Sequence, residues 1–435
     1  MTQEHVIFWF RRDLRLTDNA GLHAALTSGY PVMALFIFDA EILSKLEDKD
    51  DRRVDFIFQA LQRLNRQLER YGSRLIIRHG KPSEVMQEIT GLVPVRSVYA
   101  NRDYEPYARR RDAEVEQLLG SRGIDFRTFK DQVVFEPGEI VKNDGMPYTV
   151  YTPYSKRWKE MLGMQPPRSY PSEHEQRYAS GLSLHSVSAL EEIGFQPSGL
   201  VFPAPLVSTG IIRRYHETRD FPAMEGTTRL SVHLRFGTVS IRELVRMARI
   251  ENDTWLGELI WREFFMTILY FFPHVTERSF KPAYDAICWR NNEDEFTRWC
   301  RGTTGYPIVD AGMRELLATG HMHNRIRMVV ASFLTKHLLI DWRWGESWFA
   351  RHLLDFDLAA NNGNWQWAAG CGCDAAPYFR IFNPYEQTKK FDSRLEYIGK
   401  WVPEFQQSGY PAPLVEHSTA RLRALDAYKQ GLATT

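Results

Sequence analysis

Four short apolar runs punctuate the first quarter of the chain: VIFWF at 6–10, PVMALFIF at 31–38, RLIIR at 74–78 and VRSVYA at 95–100. Each is rich in β-branched and aromatic residues, and helical patterns at 19–28, 53–70 and 82–90 lie between them. Strands alternating with helices in this way argue for a parallel sheet with helices on both faces. Residues 1–130 are therefore expected to form an α/β domain of the doubly wound type. No G-x-G-x-x-G follows the first run, so the dinucleotide fingerprint is missing.

The pattern stops there. Residues 131–205 carry the Pro- and Ser-rich stretches QPPRSYPSEHEQ and FQPSGLVFPAP, and read as a long interdomain linker. From 206 to 435 apolar residues recur at three and four spacing with almost no strand-like alternation, which predicts an all-α domain. A chain of 435 residues is long for one core, so two domains are the natural expectation.

Composition narrows the function classes. The formal charge of +1 gives no bulk basic character, and leaves only a local patch for nucleic acid. Four cysteines (Cys288, Cys300, Cys371 and Cys373) suit a reduced cytoplasm better than a disulfide framework. Cys371 and Cys373 lack the further ligands of a zinc site, so no metal is expected. No apolar stretch approaches membrane-spanning length, and a soluble, cytoplasmic chain is expected. Ten of the twelve tryptophans lie after residue 250, a bias that packing alone does not require.

Four stretches of the helical half carry candidate chemistry. In GELIWREFF, Glu258, Trp261, Arg262 and Phe265 share one helix face, with Trp255 a turn earlier. In HMHNRIRM, Asn324, Arg327 and Met328 align beside Arg325, and buried amide and guanidinium groups need partners. LLDFDLAANNG supplies Asp355 and Asp357 ahead of Asn361, among small residues that let something large and flat approach. GTTRLS sets three hydroxyls around Arg229 before a plausible helix, a phosphate-seeking arrangement. Taken singly, each also reads as an ordinary ion pair, cap or capping hydroxyl.

Together, and in this order, these stretches resemble the photolyase/cryptochrome flavoproteins. FRRDLRLTDN, RDFP, GTTRLS, ELIWREF, TGYPIVDAGMR, TGHMHNRIRM, DLAANNGNWQWAAG and DAAPYFRIFNP carry the similarity over nearly the whole chain. The resemblance implies an α/β domain linked to a helical domain that holds FAD. It implies that Tyr215, Thr227, Thr228, Arg229, Leu230 and Ser231 bind the FAD phosphates and nearby groups. Arg327 and Asp355 would pair beside the flavin ring, Trp255, Arg262, Phe356 and Asp357 would also contact FAD, and Asn361 would sit near N5.

The closest likeness is to the enzymes that repair cyclobutane pyrimidine dimers. Glu258 would then hydrogen-bond the lesion, Trp261 and Trp367 would stack on it, and Asn324, Met328 and Phe265 would line its cavity. Arg219 and Arg325 resemble positions that hold DNA phosphates. Trp365, Trp342 and Trp289 match the inner, middle and surface members of a photoreducing relay. On a helix Trp365 and Trp367 lie roughly 200° apart, so they are expected to serve different ends, with Gln366 merely between them. Tyr107 and Ala108 stand where folate-type relatives carry Asn-Glu, while Arg53 and Asp103 look like the deazaflavin-binding branch of antenna sites. The expected partner is UV-damaged DNA, met as a monomer. A blue-light photoreceptor without repair is the alternative.

Overall fold

The computed structural model describes residues 3–433. The chain packs as two units that alternate along the sequence. The first contains the residues through Glu139, then Lys159–Val207 and Arg229–Arg249; the second contains Ile140–Trp158, Ser208–Thr228 and the residues from Ile250 onward. Residues 131–205, where a linker is expected, thus contribute to both units.

The first unit is built on five parallel strands, β1 (His5–Phe10), β2 (Val32–Asp39), β3 (Leu75–Gly80), β4 (Val95–Asn101) and β5 (Asp125–Phe129). Their order is β3-β2-β1-β4-β5, with Val6 opposite Val32 on one side of β1 and Ser97 on the other. Every residue of β1 and β2 is buried, which is why these runs read as continuous rather than alternating. Helices α1 (Ala20–Leu26), α2 (Arg52–Glu69), α3 (Pro82–Leu92) and α4 (Pro106–Gly120) make the crossovers. Asn19 caps α1 by accepting from Leu22, and Asp51 caps α2 by accepting from Arg53 and Val54. The segment 229–249 is fastened into this unit by a buried ionic knot. Arg15 and Arg242 both reach Asp131 at 2.8 Å, and Arg242 also pairs with Asp18 at 3.2 Å. Burial by itself would raise the Asp131 carboxyl, but the two guanidinium groups outweigh it and hold it below the ordinary range.

The second unit is helical. The elements that matter to the site are α5 (Tyr151–Met164, of which the second unit holds the part up to Trp158), α6 (Asp253–Phe271), α7 (Pro307–Thr319), α8 (Asn324–Ser332), α9 (Trp342–His352), α10 (Leu358–Ala369) and α11 (His417–Ala433). Their apolar faces meet in a core containing Trp299, Ile326, Val330, Phe333, Trp342, Phe349 and Trp365. No helix among the described residues is long and apolar enough to cross a membrane.

Candidate functional site

Helices α8 and α10 and the turn before α10 line an open cavity of about 600 Å³, its mouth included. Asn324, Arg327 and Met328 line it from α8, Asp355, Phe356 and Asp357 from the turn, and Asn361, Trp365 and Trp367 from α10. Arg327 donates to both oxygens of Asp355 at 3.1 and 2.9 Å, and its Nε donates to the carbonyl of Met322. Asp357 accepts from the N–H of Ala360 at 3.1 Å, so one aspartate is the cap that ordinary reading suggests and still faces the cavity. Ala331, Ala360 and Ala368 complete the wall with small side chains.

The amides of α10 are fixed from behind. Asn361 donates through Nδ2 to the carbonyl of Glu346 at 3.1 Å. Asn362 donates to the Glu346 carboxyl at 3.0 Å and to the carbonyl of Val275 at 2.9 Å. Gln366 is more than a spacer: it donates to Val275 at 3.0 Å and accepts from the N–H of Phe280 at 2.8 Å, tying the 275–280 loop to the helix. Asn361 thus lines the cavity with one of its two amide N–H groups fixed on a carbonyl behind the helix. Cys371 is buried, and burial pushes its thiol up to about 12, where it stays neutral.

Helix α6 starts at Asn252, whose side chain accepts from Trp255 at 3.1 Å. Trp255 and Phe265 are buried, while Glu258, Trp261 and Arg262 are half-buried. Phe265 packs on Gly363 of α10, which sets this face beside the cavity wall. Glu258 forms an ion pair with Arg219. Burial pushes its carboxyl above the ordinary glutamate value, with Arg219 pulling down and Asp220 pushing further up. Arg219, expected to face phosphates, is therefore engaged by Glu258. Arg325, given the same expectation, donates to Asp220 at 2.7 Å and lies 4.2 Å over the ring of Phe391. Trp261 stacks on Tyr151 with ring centroids 3.6 Å apart and planes 4° apart.

The three tryptophans expected to form a relay share one core, Trp365 and Trp342 inside it and Trp289 packed against it. The Trp365 ring lies on Gly345, one turn along α9 from Trp342; a Cβ at Gly345 would fall 2.1 Å from it. Trp342 is 1% exposed, and the preceding Asp341 is hydrogen-bonded to Asn291 at 2.8 Å, two residues beyond the half-buried Trp289. Trp365 is buried and Trp367 half-buried, and both line the cavity.

The remaining expected residues lie elsewhere. Tyr215 is half-buried, and burial drives its phenol upward. Thr227 and Thr228 belong to the second unit, and Arg229, Leu230 and Ser231 to the first. Arg229 has φ +52°, a left-handed conformation uncommon for a side-chain-bearing residue, and Ser231 begins the helix Ser231–Phe236. In the first unit Arg53 is bonded to Asp51, and Asp103 pairs with Arg12 at 3.3 Å. Neither lines the open hollow of about 470 Å³, mouth included, in that unit, which is walled by Glu41, Lys45, Lys81, Tyr107, Arg110, Arg111, Glu114 and their neighbours.

Two family profiles match the chain: DNA photolyase over residues 6–172, and the FAD binding domain of DNA photolyase over residues 255–408. A deoxyribodipyrimidine photo-lyase of Halobacterium salinarum is 39% identical, with 98% of each chain covered. The chain belongs to the photolyase/cryptochrome family. A bacterial class III photolyase from Agrobacterium tumefaciens has a TM-score of 0.87 at 34% identity, covering 99% of this chain and 98% of that one. An archaeal photolyase from Sulfolobus tokodaii, solved with two FAD molecules, has a TM-score of 0.86 at 34% identity, covering 98% and 100%.

The cavity meets what a photolyase's flavin requires. All its lining residues fall inside the stretch matched by the FAD-binding profile. A carboxylate paired with a guanidinium suits the hydrogen-bonding edge of an isoalloxazine, and small side chains beside Phe349, Leu353 and Trp365 suit its flat faces. Two contributors escape the sequence reading. Glu346 follows Trp342 by one helical turn, so its spacing in WRWGE was the available signal. Tyr151 sits in a stretch read as linker, and nothing in that stretch announces its partner Trp261.

Proposed function

We propose that this chain is a deoxyribodipyrimidine photo-lyase that repairs cyclobutane pyrimidine dimers in DNA with light. The observation that carries the reading is the cavity where the Arg327–Asp355 pair, Asn361, Trp365 and Trp367 converge in a photolyase-family chain. Bound FAD, in its reduced form, would supply the electron that opens the cyclobutane ring and would take it back afterwards.

The protein's part is to bind, orient and neutralise. Arg327, Asp355 and Asp357 would hold the flavin ring, and Asn361 would offer its oxygen near N5. Trp255, Arg262 and Phe356 would add contacts, and Tyr215 with Thr227 and Thr228 would take the phosphates. A dimer pairs poorly and is cheaper than an intact base pair to extrude from the duplex. Trp261 and Trp367 would stack on the flipped lesion, and Phe265, Asn324 and Met328 would bound it. Glu258 would stabilise charge arriving on the pyrimidine carbonyl, with Arg219 holding that carboxylate in place. Arg219 and Arg325 would meet phosphates only by sharing or exchanging their present carboxylate partners. Trp365, Trp342 and Trp289 would pass electrons inward to reduce the flavin.

A second chromophore belongs to the reading. In the first unit's hollow Glu41 and Glu114 pair with Lys81, and Lys45, Arg110, Arg111 and the Tyr107 ring suit a flat chromophore with an anionic tail, of deazaflavin or flavin type rather than folate. Arg53 and Asp103 would act at a distance from that hollow. The substrate being DNA, the enzyme would work as a cytoplasmic monomer.

Blue illumination of the FAD-loaded, reduced enzyme with UV-irradiated DNA should remove dimers, and darkness should not. Dimers that persist under illumination, with reduced FAD bound, would instead support a photoreceptor. Glu258→Ala should lower repair per photon while FAD stays bound.

A further inference from the structure

Lys336 lies in a single π-helical turn, Phe333–His337, directly after α8, and is 1% exposed. Its Nζ donates to the carbonyl of Ala369 at 2.9 Å and sits 3.6 Å from the ring centroid of Tyr428 on α11. The fully buried hydroxyl of Tyr428 donates to that same carbonyl at 2.7 Å. Amine and phenol thus share one acceptor, and a backbone carbonyl takes no proton.

Tyr428 also meets Trp289 edge-on, with ring centroids 5.9 Å apart. Tyr378 stacks on its other side at 5.7 Å. Tyr428 is therefore the next oxidisable ring beyond the outer member of the tryptophan series. A cation this close to a desolvated ring opposes removal of an electron from it, and a phenol without a base resists oxidation further.

Burial pulls the Lys336 amine down to about 7, and Cys371 would pull it back up only as a thiolate. The groups around it leave this balance to the lysine. The Cys371 thiol is neutral, and the phenols of Tyr284 and Tyr428 are both driven upward. Asp341 is paired with Arg343 at 3.0 Å, and His337, beside the lysine on its own turn, is held neutral by burial at about 3.

We propose that Lys336 decides whether an oxidised Trp289 is refilled from Tyr428: the ammonium forbids the transfer, and the neutral amine permits it by taking the phenol proton. This rests on the relay reading above, in which light-excited oxidised flavin is the primary oxidant. In the step, one electron passes from Tyr428 to the Trp289 radical cation. The phenolic O–H turns from the Ala369 carbonyl, which lies 2.7 Å from the hydroxyl and 2.9 Å from Nζ, toward the neutral amine; it then breaks and its proton moves to Nζ. The products are neutral Trp289, a Tyr428 radical and a Lys336 ammonium. On the alkaline side the hole is stored one ring farther from the flavin; on the acid side it stays on Trp289 and recombines sooner.

The test is time-resolved absorption and electron paramagnetic resonance on the full chain carrying oxidised FAD, after a blue flash, below and above pH of about 7. In the wild type the long-lived radical should be tryptophan-type on the acid side and tyrosyl on the alkaline side, with the tyrosyl yield rising several-fold. Its formation should slow in deuterated solvent. Lys336→Arg, which stays charged, and Lys336→Met, which has no base, should both hold the tyrosyl yield low at either pH. Tyr428→Phe should abolish that signal. A wild-type yield that is flat with pH, or a rise that survives in Lys336→Arg, overturns the proposal. Trp289→Phe separates the two readings: a long-lived radical that persists unchanged in that variant refutes the relay itself.

Discussion

The ring of Phe265 fills the space above Gly363: a Cβ built on that glycine would lie 2.1 Å from the ring carbon Cδ1. Helices α6 and α10 approach this closely because residue 363 has no side chain. Gly363→Ala must move the ring or part the helices, an overpacking strain of about 1–3 kcal/mol. The expected result is a lower unfolding temperature together with lower FAD retention, read by calorimetry and flavin absorbance. An unchanged unfolding temperature would mean that the ring slides aside freely.

The Arg327–Asp355 pair is protected unequally, since the arginine side chain is 26% exposed and the aspartate 7%. Asp355→Asn keeps the shape and removes the charge. Breaking a fully buried pair costs about 3–5 kcal/mol, and the exposed guanidinium reduces this to about 1–3 kcal/mol. Part of that loss should appear as FAD affinity weakened roughly ten-fold. Equilibrium dialysis of the apoprotein against FAD measures it, and wild-type affinity in the variant would remove Asp355 from the flavin site.

Glu346 gives the site a pH dependence. Burial pushes its carboxyl up to about 7, against the Asn362 hydrogen bond and the Arg343 charge, with Asp341 pushing it higher still. Between its unperturbed 4.5 and about 7 the folded chain keeps a proton that the unfolded chain has released. Stability therefore falls as pH rises through that window, and the loss is complete above it. Glu346→Gln stays neutral and keeps an acceptor for Asn362. Urea unfolding of the two apoproteins should show the wild type losing stability relative to the variant from below 4.5 to above 7. Parallel curves across that range would contradict the raised carboxyl.

Legibility in the sequence followed locality. Strands β1 and β2 were readable because both faces are buried and the runs are uninterrupted. Asp355, Asp357, Asn361, Trp365 and Trp367 were readable as a group because they fall within one short stretch and one helix. Contacts that join distant segments were not. The Asp18–Arg242 and Arg15–Asp131 pairs bridge more than a hundred residues, and each residue alone reads as a solvated charge. Lys336 likewise looks like a surface lysine in FLTKH until α11 and Ala369 close over it. The roles of Arg219 and Arg325 depend on neighbours: both are expected to hold DNA phosphates, yet Glu258 and Asp220 take them up.

Tyr151 is the partner that holds Trp261 in place. The rings stack at 3.6 Å, and the tyrosine is itself pinned through a hydroxyl that donates to the carbonyl of Gly257 at 2.8 Å. If Trp261 stacks on the lesion, it does so with its ring already ordered, and part of the entropic cost of binding is met before DNA arrives. Tyr151→Ala releases the indole. An aromatic pair is worth about 0.5–1.5 kcal/mol, so affinity for dimer-containing DNA should fall roughly two- to ten-fold. Affinity for undamaged DNA and FAD content should stay at wild-type levels, because neither depends on the orientation of Trp261. Fluorescence anisotropy with damaged and undamaged duplexes makes the comparison. Equal losses on both duplexes would assign Tyr151 to general DNA contact, and no loss on either would show that Trp261 is held without it.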